Sequence, residues 1–436
     1  MGLSIIPVGG YDEVGRNCTA VEVDGDLFLL DLGLHMEEYV RLTEDEHPRF
    51  VPKDEELIAE GAAPDLSVID ERRVRAVVVS HAHLDHVGAV SFFAHRFSCN
   101  FHMTPFTGAV ASRLADDKRL PLGDRLVTHG FDEKIPLSED VYLEFVEVSH
   151  STPQTAAVAL HTPYGVVLYL NDFKLDDRPT LGAATDLDRL ASLKPKVLIM
   201  DCLYGDKDVR TPGEREAKRL LEEALLDKDL DGKVVIASSF SSHVARLQEL
   251  ASLARRLGRK PVFIGRSMAK YLEAAAEVGV SSLIEDHEVV KYSSKARKAL
   301  AKIGDPSEHF FVVTGGMGEP GAVLSRIVDE KLLPVRRGDV IVFSNRTIPV
   351  PVIEHDRAEL EKKLSSRGLE LLKDLHVSGH AAGRDHVEVL ERVRPETLIP
   401  VHGLPKQRLA CKASAVRAGL REGQVLLPGN GEQVFL

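Results

Sequence analysis

The chain has few cysteines and no paired ones. Cys18, Cys99, Cys202 and Cys411 are scattered through 436 residues with no CxxC between them, which argues against a disulfide framework and fits reduced thiols in a cytoplasmic protein. It also lacks an apolar run long enough to span a bilayer and a charged-then-apolar leader at Met1. The expectation is a soluble, cytoplasmic chain with no membrane partner. Internal repeats and low-complexity stretches are missing too. Positive charge is in deficit: 55 Lys and Arg against 67 Asp and Glu leave a net charge of −12. That excludes a generally basic, indiscriminate nucleic-acid binder, although an acidic exterior and a local basic cleft can coexist. With 44% hydrophobic residues the chain can bury a large core, and its length suits two or more domains.

What is present is a crowded run of donors, His81, His83, Asp85 and His86, directly after the apolar stretch Val74 to Ser80 and before Val87 and Gly88. The apolar stretch reads as a buried strand, so four potential ligands project from the loop at its end. Imidazoles and a carboxylate suit zinc. Two of the histidines can serve one ion while Asp85 and His86 serve a second. Asp31, His150, Asp172, Asp201 and His402 each follow an apolar run as well, and so read as residues at strand ends.

Around these motifs the patterning changes once. Strands joined by Asp24 and Gly25, alternation from Arg125 to Val148, and a hairpin broken at Thr162 to Gly165 mark a strand-rich first part. The charged stretch from His35 to Glu71 has little periodicity, and His35 and His47 in it read as solvated. Helical spacing runs from Ala89 to Leu120. From Glu214 onward short apolar strands alternate with amphipathic helices, among them one opening at Ser241 or Ser242 and stopped by Gly258. This predicts a parallel sheet covered on both faces. A charged helix from Glu354 to about Leu372 closes it, and a strand from Thr397 delivers His402.

The HxHxDH run resembles that of the metallo-β-lactamase superfamily at every fixed position. Asp31, His150 and Asp172 resemble its first, third and fourth motifs, and His402 its last histidine. The resemblance implies two zinc ions per chain, held by His81, His83 and His150 on one side and by Asp85, His86 and His402 on the other. Asp172 bridges them, and Asp31 supports the loop by hydrogen bonding. A large insertion before the last ligand is the arrangement of the β-CASP branch, whose members act on nucleic acids; Asp201 looks like its motif A and His380 like its motif C. Within that branch, Thr314 to Arg326, Gly338 to Pro349 and Val14 to Asn17 resemble the ribonuclease J family in its compact archaeal form. Two departures are that Pro349, Val350 and Pro351 stand where Gly–Asn–Glu often follows, and that the chain ends soon after His402. The second leaves a homodimer open.

The implied fold is α/β, a metallo-β-lactamase αββα sandwich with an inserted doubly wound β-CASP domain. Its parts are expected at residues 1–205, 206–372 and 373–436. The implied activity is zinc-dependent hydrolysis of RNA phosphodiester bonds, chiefly 5′→3′ from 5′-monophosphate ends of single-stranded RNA. Asp85, His380 and Asp201 are the expected catalytic residues: His380 assists departure of the leaving oxygen or holds the scissile phosphate, and Asp201 orients His380 or a ligand histidine. Ser239, Ser241, Ser242 and His243, with Ser378, Gly379, Ala381, Ala382 and Gly383, lie in small-residue turns that serve as anion nests or simply as turns. The resemblance favours an RNA phosphate there, with Arg266, Arg326 and Arg384 as backbone contacts. Competing readings are an endoribonuclease, a small-molecule ester hydrolase on the same metal core, and a non-catalytic RNA-binding subunit.

Overall fold

Along the strand Asp26–Leu30 successive side chains face opposite ways, Leu27 and Leu29 into one apolar cluster and Phe28 and Leu30 into another. The same division recurs on Val74–Val79, where Val77 and Val79 oppose Ala76 and Val78. It recurs again on Gly165–Leu170, where Val167 and Tyr169 face the cluster of Phe28 while Leu168 and Leu170 face away. Strands buried on both faces in this way need a sheet on one side and helices on the other. The result is two sheets face to face with helices outside.

The computed structural model describes residues 2–43, 50–291, 296–300, 302–319, 321–347 and 351–436. His47, Pro320 and Pro349 lie outside the described residues. The chain forms two units, one of Met1–Asp177, Gly182–Thr211 and Gly379–Leu436, the other of Arg178–Leu181 and Pro212–Ser378. These limits differ from the expected 205/206 and 372/373. Among the described residues no helix is long and apolar enough to cross a membrane.

In the first unit one sheet runs Val434–Phe435, Leu3–Gly9, Cys18–Val23, Asp26–Leu30, Val74–Val79, Asn100–Met103, Leu126–Thr128. The other runs Thr397–Val401, Val197–Asp201, Gly165–Leu170, Ala156–Thr162, Tyr142–Glu147, Ile135–Pro136. Thr397–Val401 pairs in parallel with Val197–Asp201, which pairs in parallel with Gly165–Leu170. Hence the residues that follow these strands emerge along one edge. The Asp24–Gly25 hairpin is as expected, with φ of +51° and +99°.

The second unit is a parallel sheet in the order Glu288–Val290, Lys260–Ile264, His309–Val313, Val235–Ser238, Val340–Phe343, Glu370–Leu372. Ile236, Phe311 and Ile341 pack on one face and Val235, Phe310 and Val340 on the other, which is the doubly wound arrangement. Several local expectations need correction. The stretch after His35 holds the helices Met36–Thr43 and Asp54–Ala59, with Leu57 buried; they pack through few residues each, so their periodicity is short. The span 89–120 is broken by the strand Asn100–Met103. The helix expected at Ser241 or Ser242 is Val244–Arg256, capped by His243, whose ring accepts from the Arg246 N–H. The charged helix is Pro351–Ser366, and Glu370–Leu372 is an edge strand of the sheet.

Candidate metal centre

The strand Val74–Val79 ends at Ser80, His81 and His83 follow, and His83 then caps a one-turn helix, Leu84–Val87. Asp85 and His86 are therefore helical, not part of one open loop as expected. The turn still leaves the His86 ring beside His81, with ring centroids 4.0 Å apart. His150 follows the strand Tyr142–Glu147, Asp172 follows Gly165–Leu170 and His402 follows Thr397–Val401. His402 takes a left-handed φ of +54°, with its N–H donated to Gly10 O at 2.8 Å.

All seven expected ligands come together. His81 Nε2 and His150 Nε2 each lie 3.1 Å from His83 Nδ1, and 3.2 and 3.3 Å from Asp172 Oδ2. Four donors around a zinc ion at bond lengths of about 2.0–2.1 Å stand roughly 3.3 Å apart, so this is a tetrahedral ligand spacing. On the other side His86 Nε2 is 3.5 Å from Asp85 Oδ2 and 3.3 Å from Asp172 Oδ1, and His402 Nε2 is 3.8 Å from each of those oxygens. Asp172 thus presents one oxygen to each half. Its Oδ1 is buried with no hydrogen-bond partner, which is a cost unless a cation takes it up. The donor set fits two divalent cations.

Four of the five imidazoles are held from behind. His81 Nδ1 lies 3.0 Å from Ser80 Oγ, His86 Nδ1 2.7 Å from Asp31 Oδ2, His150 Nδ1 2.8 Å from Gly379 O, and His402 Nδ1 3.1 Å from Asn17 Oδ1. Such contacts select the tautomer that leaves the other nitrogen free to ligate. Asp31, fully buried, also accepts from Ser80 N–H, Ser80 Oγ and Tyr169 OH. It stands behind His86 and is not among the clustered donors. Gly379 has no room for a side chain, because a Cβ would stand 2.9 Å from His150 Cε1.

The electrostatics match a ligand cluster. Burial alone would raise the carboxyls of Asp85 and Asp172, but the imidazoles, His86 foremost, hold both well below the usual range. Burial pushes His81 down to about 4 and His150 well below its ordinary value, so both stay neutral. Burial would also neutralise His86, but Asp172, Asp85 and Asp31 outweigh it and raise it well above its ordinary value. A cation entering that half would displace this proton.

His380 borders the cluster. Its Nδ1 is 2.9 Å from Asp201 Oδ2 and its Nε2 is 3.7 Å from Asp172 Oδ2. Asp201 is fully buried and also accepts from Leu203 N–H. Of the two alternatives for Asp201, the geometry pairs it with His380. The small-residue turns fare differently. The N–H groups of Ala381, Ala382 and Gly383 donate to Phe173 O, Asp385 Oδ2 and Lys207 O, so the expected nest of free backbone donors does not form there. In the second unit Ser239 Oγ is buried and without a partner. Arg326 is paired with Glu330, and Arg384 with Asp208.

Sequence reasoning passed over Asn17, Ser80 and Tyr169. Each lies inside or beside a stretch already read as a motif, which was the available signal.

Three sequence families match the chain. They are the metallo-β-lactamase superfamily over residues 11–202, the β-CASP domain of ribonuclease J over 231–354, and the Zn-dependent metallo-hydrolase RNA specificity domain over 369–428. A ribonuclease J of Pyrococcus abyssi is 36% identical over 407 residues, covering 92% of this chain and 90% of that one. One from Methanocaldococcus jannaschii is 37% identical over 412 residues, covering 92% of each. The chain belongs to the ribonuclease J family. In ribonuclease J terms the ligands His81 to Asp172 fall in the metallo-β-lactamase match and His402, with His380, in the RNA specificity match. The β-CASP match falls wholly inside the second unit. A solved protein of unknown function from Enterococcus faecalis V583 has the same fold over the whole of both chains, with a TM-score of 0.67 at 16% identity.

Proposed function

We propose that this chain is a zinc-dependent 5′→3′ exoribonuclease that starts from a 5′-monophosphate. The coarser part, a metal-dependent ribonuclease, follows from family membership together with the filled cluster. The proposed domains are a metallo-β-lactamase domain of residues 1–205 and 373–436 around a β-CASP domain of 206–372. The observation that carries the catalytic reading is the His380–Asp201 pair, 2.9 Å long, beside seven convergent donors.

When bound, a pair of divalent cations supplies an activated water and neutralises charge growing on the phosphoryl oxygens. His81, His83, His150, Asp85, His86 and His402 would hold the pair, with Asp172 shared. Asp201 keeps the His380 ring oriented with Nε2 toward Asp172. Burial disfavours the charged ring, but Asp172 and Asp201 outweigh it and push His380 up to about 9. That balance is the metal-free chain's; with Asp172 taken up by cations, Asp201 is the partner left on His380, to which we assign donation of a proton to the leaving oxygen.

Direction rests on the serine turn. Ser239 follows the strand Val235–Ser238 at the carboxyl edge of a doubly wound sheet, the edge where such sheets take ligands. Its buried, unpartnered hydroxyl supports a polar subsite, which we assign with Ser241, Ser242 and Ser378 to the 5′ phosphate. A 5′-hydroxyl would forfeit charge-assisted hydrogen bonds of about 1.5–3 kcal/mol each, so the preference should be at least tenfold.

The test uses single-stranded RNA labelled along its whole length, with 5′-hydroxyl, monophosphate and triphosphate ends, beside the matched DNA. Mononucleotides should appear first, and fastest from the monophosphate. Equal rates for all three ends, or internal fragments first, would favour an endonuclease.

A further inference from the structure

His402 stands far in sequence from Asp85 and His86, yet all three must converge to form one half of the cluster. What joins them is Asn17, which is buried, at 1% exposure. Its backbone N–H donates to Asp85 O at 3.0 Å and its carbonyl accepts from Gly33 N–H at 3.0 Å. Its side chain works in two directions. Asn17 Nδ2 donates to Asp85 O at 3.1 Å, and Asn17 Oδ1 lies 3.1 Å from His402 Nδ1. Two glycines make the room: a Cβ on Gly10 would stand 2.5 Å from Asn17 Oδ1, and one on Gly33 would stand 1.6 Å from Asp85 O.

We infer that Asn17 is the positioning residue of the Asp85, His86 and His402 half of the cluster, selecting the His402 tautomer that carries its proton on Nδ1 and leaves Nε2 for a cation. The inference rests on the two-cation reading above. The amide orientation decides it. Asp85 O can only accept, so the atom facing it is Nδ2 and the oxygen is left for His402. Asn17 Nδ2 is also 2.9 Å from His402 Nδ1 and 3.1 Å from His86 Nε2, and Gly15 N is 3.5 Å from His402 Nδ1. Were those groups the donors to His402 Nδ1, the proton would sit on Nε2 and the ring could not ligate. Only a side chain with a donor and an acceptor on a short stem meets both demands. Leucine has the shape and neither group; aspartate keeps the acceptor.

The experiment compares the full chain with Asn17→Leu and Asn17→Asp after equilibration with zinc. Bound zinc is counted by mass spectrometry, affinities come from competition with a chelator, and the His402 tautomer is read by ¹⁵N NMR. The natural chain should bind two zinc ions with His402 protonated on Nδ1. Asn17→Leu should keep one ion and bind the other about 10–100-fold more weakly, the usual scale for losing a group that orients a ligand. Asn17→Asp should keep two, with less than a tenfold loss. Melting of the metal-free proteins reports whether each variant folds, and if Asn17→Leu does not, Asn17→Asp and the NMR measurement carry the test. Two zinc ions bound with unchanged affinity in Asn17→Leu, or His402 protonated on Nε2 in the natural chain, would overturn the inference. A natural chain that binds fewer than two ions would defeat the two-cation reading itself, and this inference with it.

Discussion

At the scale of single residues, the proposed function separates groups that would hold a cation from groups that would serve the substrate. Asp85 has little packing to lose: it stands on the one-turn helix Leu84–Val87 with its side chain 21% exposed, whereas His86 beside it is buried. Asp85→Ala should therefore abolish hydrolysis and lower zinc content while leaving the circular dichroism spectrum intact. His380 makes its close contact with Asp201 instead. We expect His380→Ala to slow cleavage by a factor on the order of 10² or more at unchanged zinc content, the scale of a lost acid or charge stabiliser. Loss of an ion in that variant would make His380 a ligand, since it also lies within reach of Asp172 and His402. The candidate ligands were legible because His81, His150, Asp172 and His402 each follow an apolar run and His83, Asp85 and His86 crowd into the few residues after His81. Asn17 was not, because one asparagine in a glycine-rich turn has no pattern until the turn is folded against His402.

At the scale of elements, the helix Val244–Arg256 carries Arg246 fully buried, its Nε 2.5 Å from Glu214 Oε1 and its Nη1 2.7 Å from Ser344 Oγ. This pair ties the helix Glu214–Leu225 to the helix Val244–Arg256 within the second unit. A buried pair adds little over an apolar filling, but breaking it strands a charge. Glu214→Ala should cost that unit about 3–5 kcal/mol in urea denaturation, while the double change Glu214→Leu with Arg246→Met should cost far less. An equal loss from both would assign the effect to packing. Helical spacing predicted this helix from Val244, Leu247, Leu250, Ala251, Ala254 and Leu257; the first five are buried, and Leu257 is half-buried at the cap just past the helix. Its cap was read as a serine because the serine run looks like a cap; the chain turns one residue later, and His243 Nδ1 does the capping.

At the scale of the whole molecule, a metal cluster is also a stability device. Cations that bind the folded chain and not the unfolded one stabilise it by mass action, about 2.7 kcal/mol per site at a hundredfold excess over Kd. Chelation should abolish RNA hydrolysis and lower the melting temperature, with zinc restoring both. Hydrolysis that persists after exhaustive chelation would remove the metal from the reaction. The net charge of −12 implies that attraction to RNA is local, confined to basic patches, since the chain as a whole repels it.

What the sequence determined by itself was the layer architecture and the identity of the donors. Two periods of hydrophobicity, one for strands and one for helices, mark a strand-rich part followed by a doubly wound sheet; the resemblance to the metallo-β-lactamase superfamily implies the sandwich, and a histidine at a strand end can be read without coordinates. Tertiary structure alone decided which groups stand behind those donors and which turns are free. The N–H groups of Ala381, Ala382 and Gly383 looked available in a small-residue turn, yet they are committed to Phe173, Asp385 and Lys207. Gly379 looked like part of the same turn and instead holds His150. Hydrophobic patterning is a property of neighbours along the chain, whereas a hydrogen bond between residues 17 and 402 depends on where two distant strand ends meet, and no local pattern encodes that.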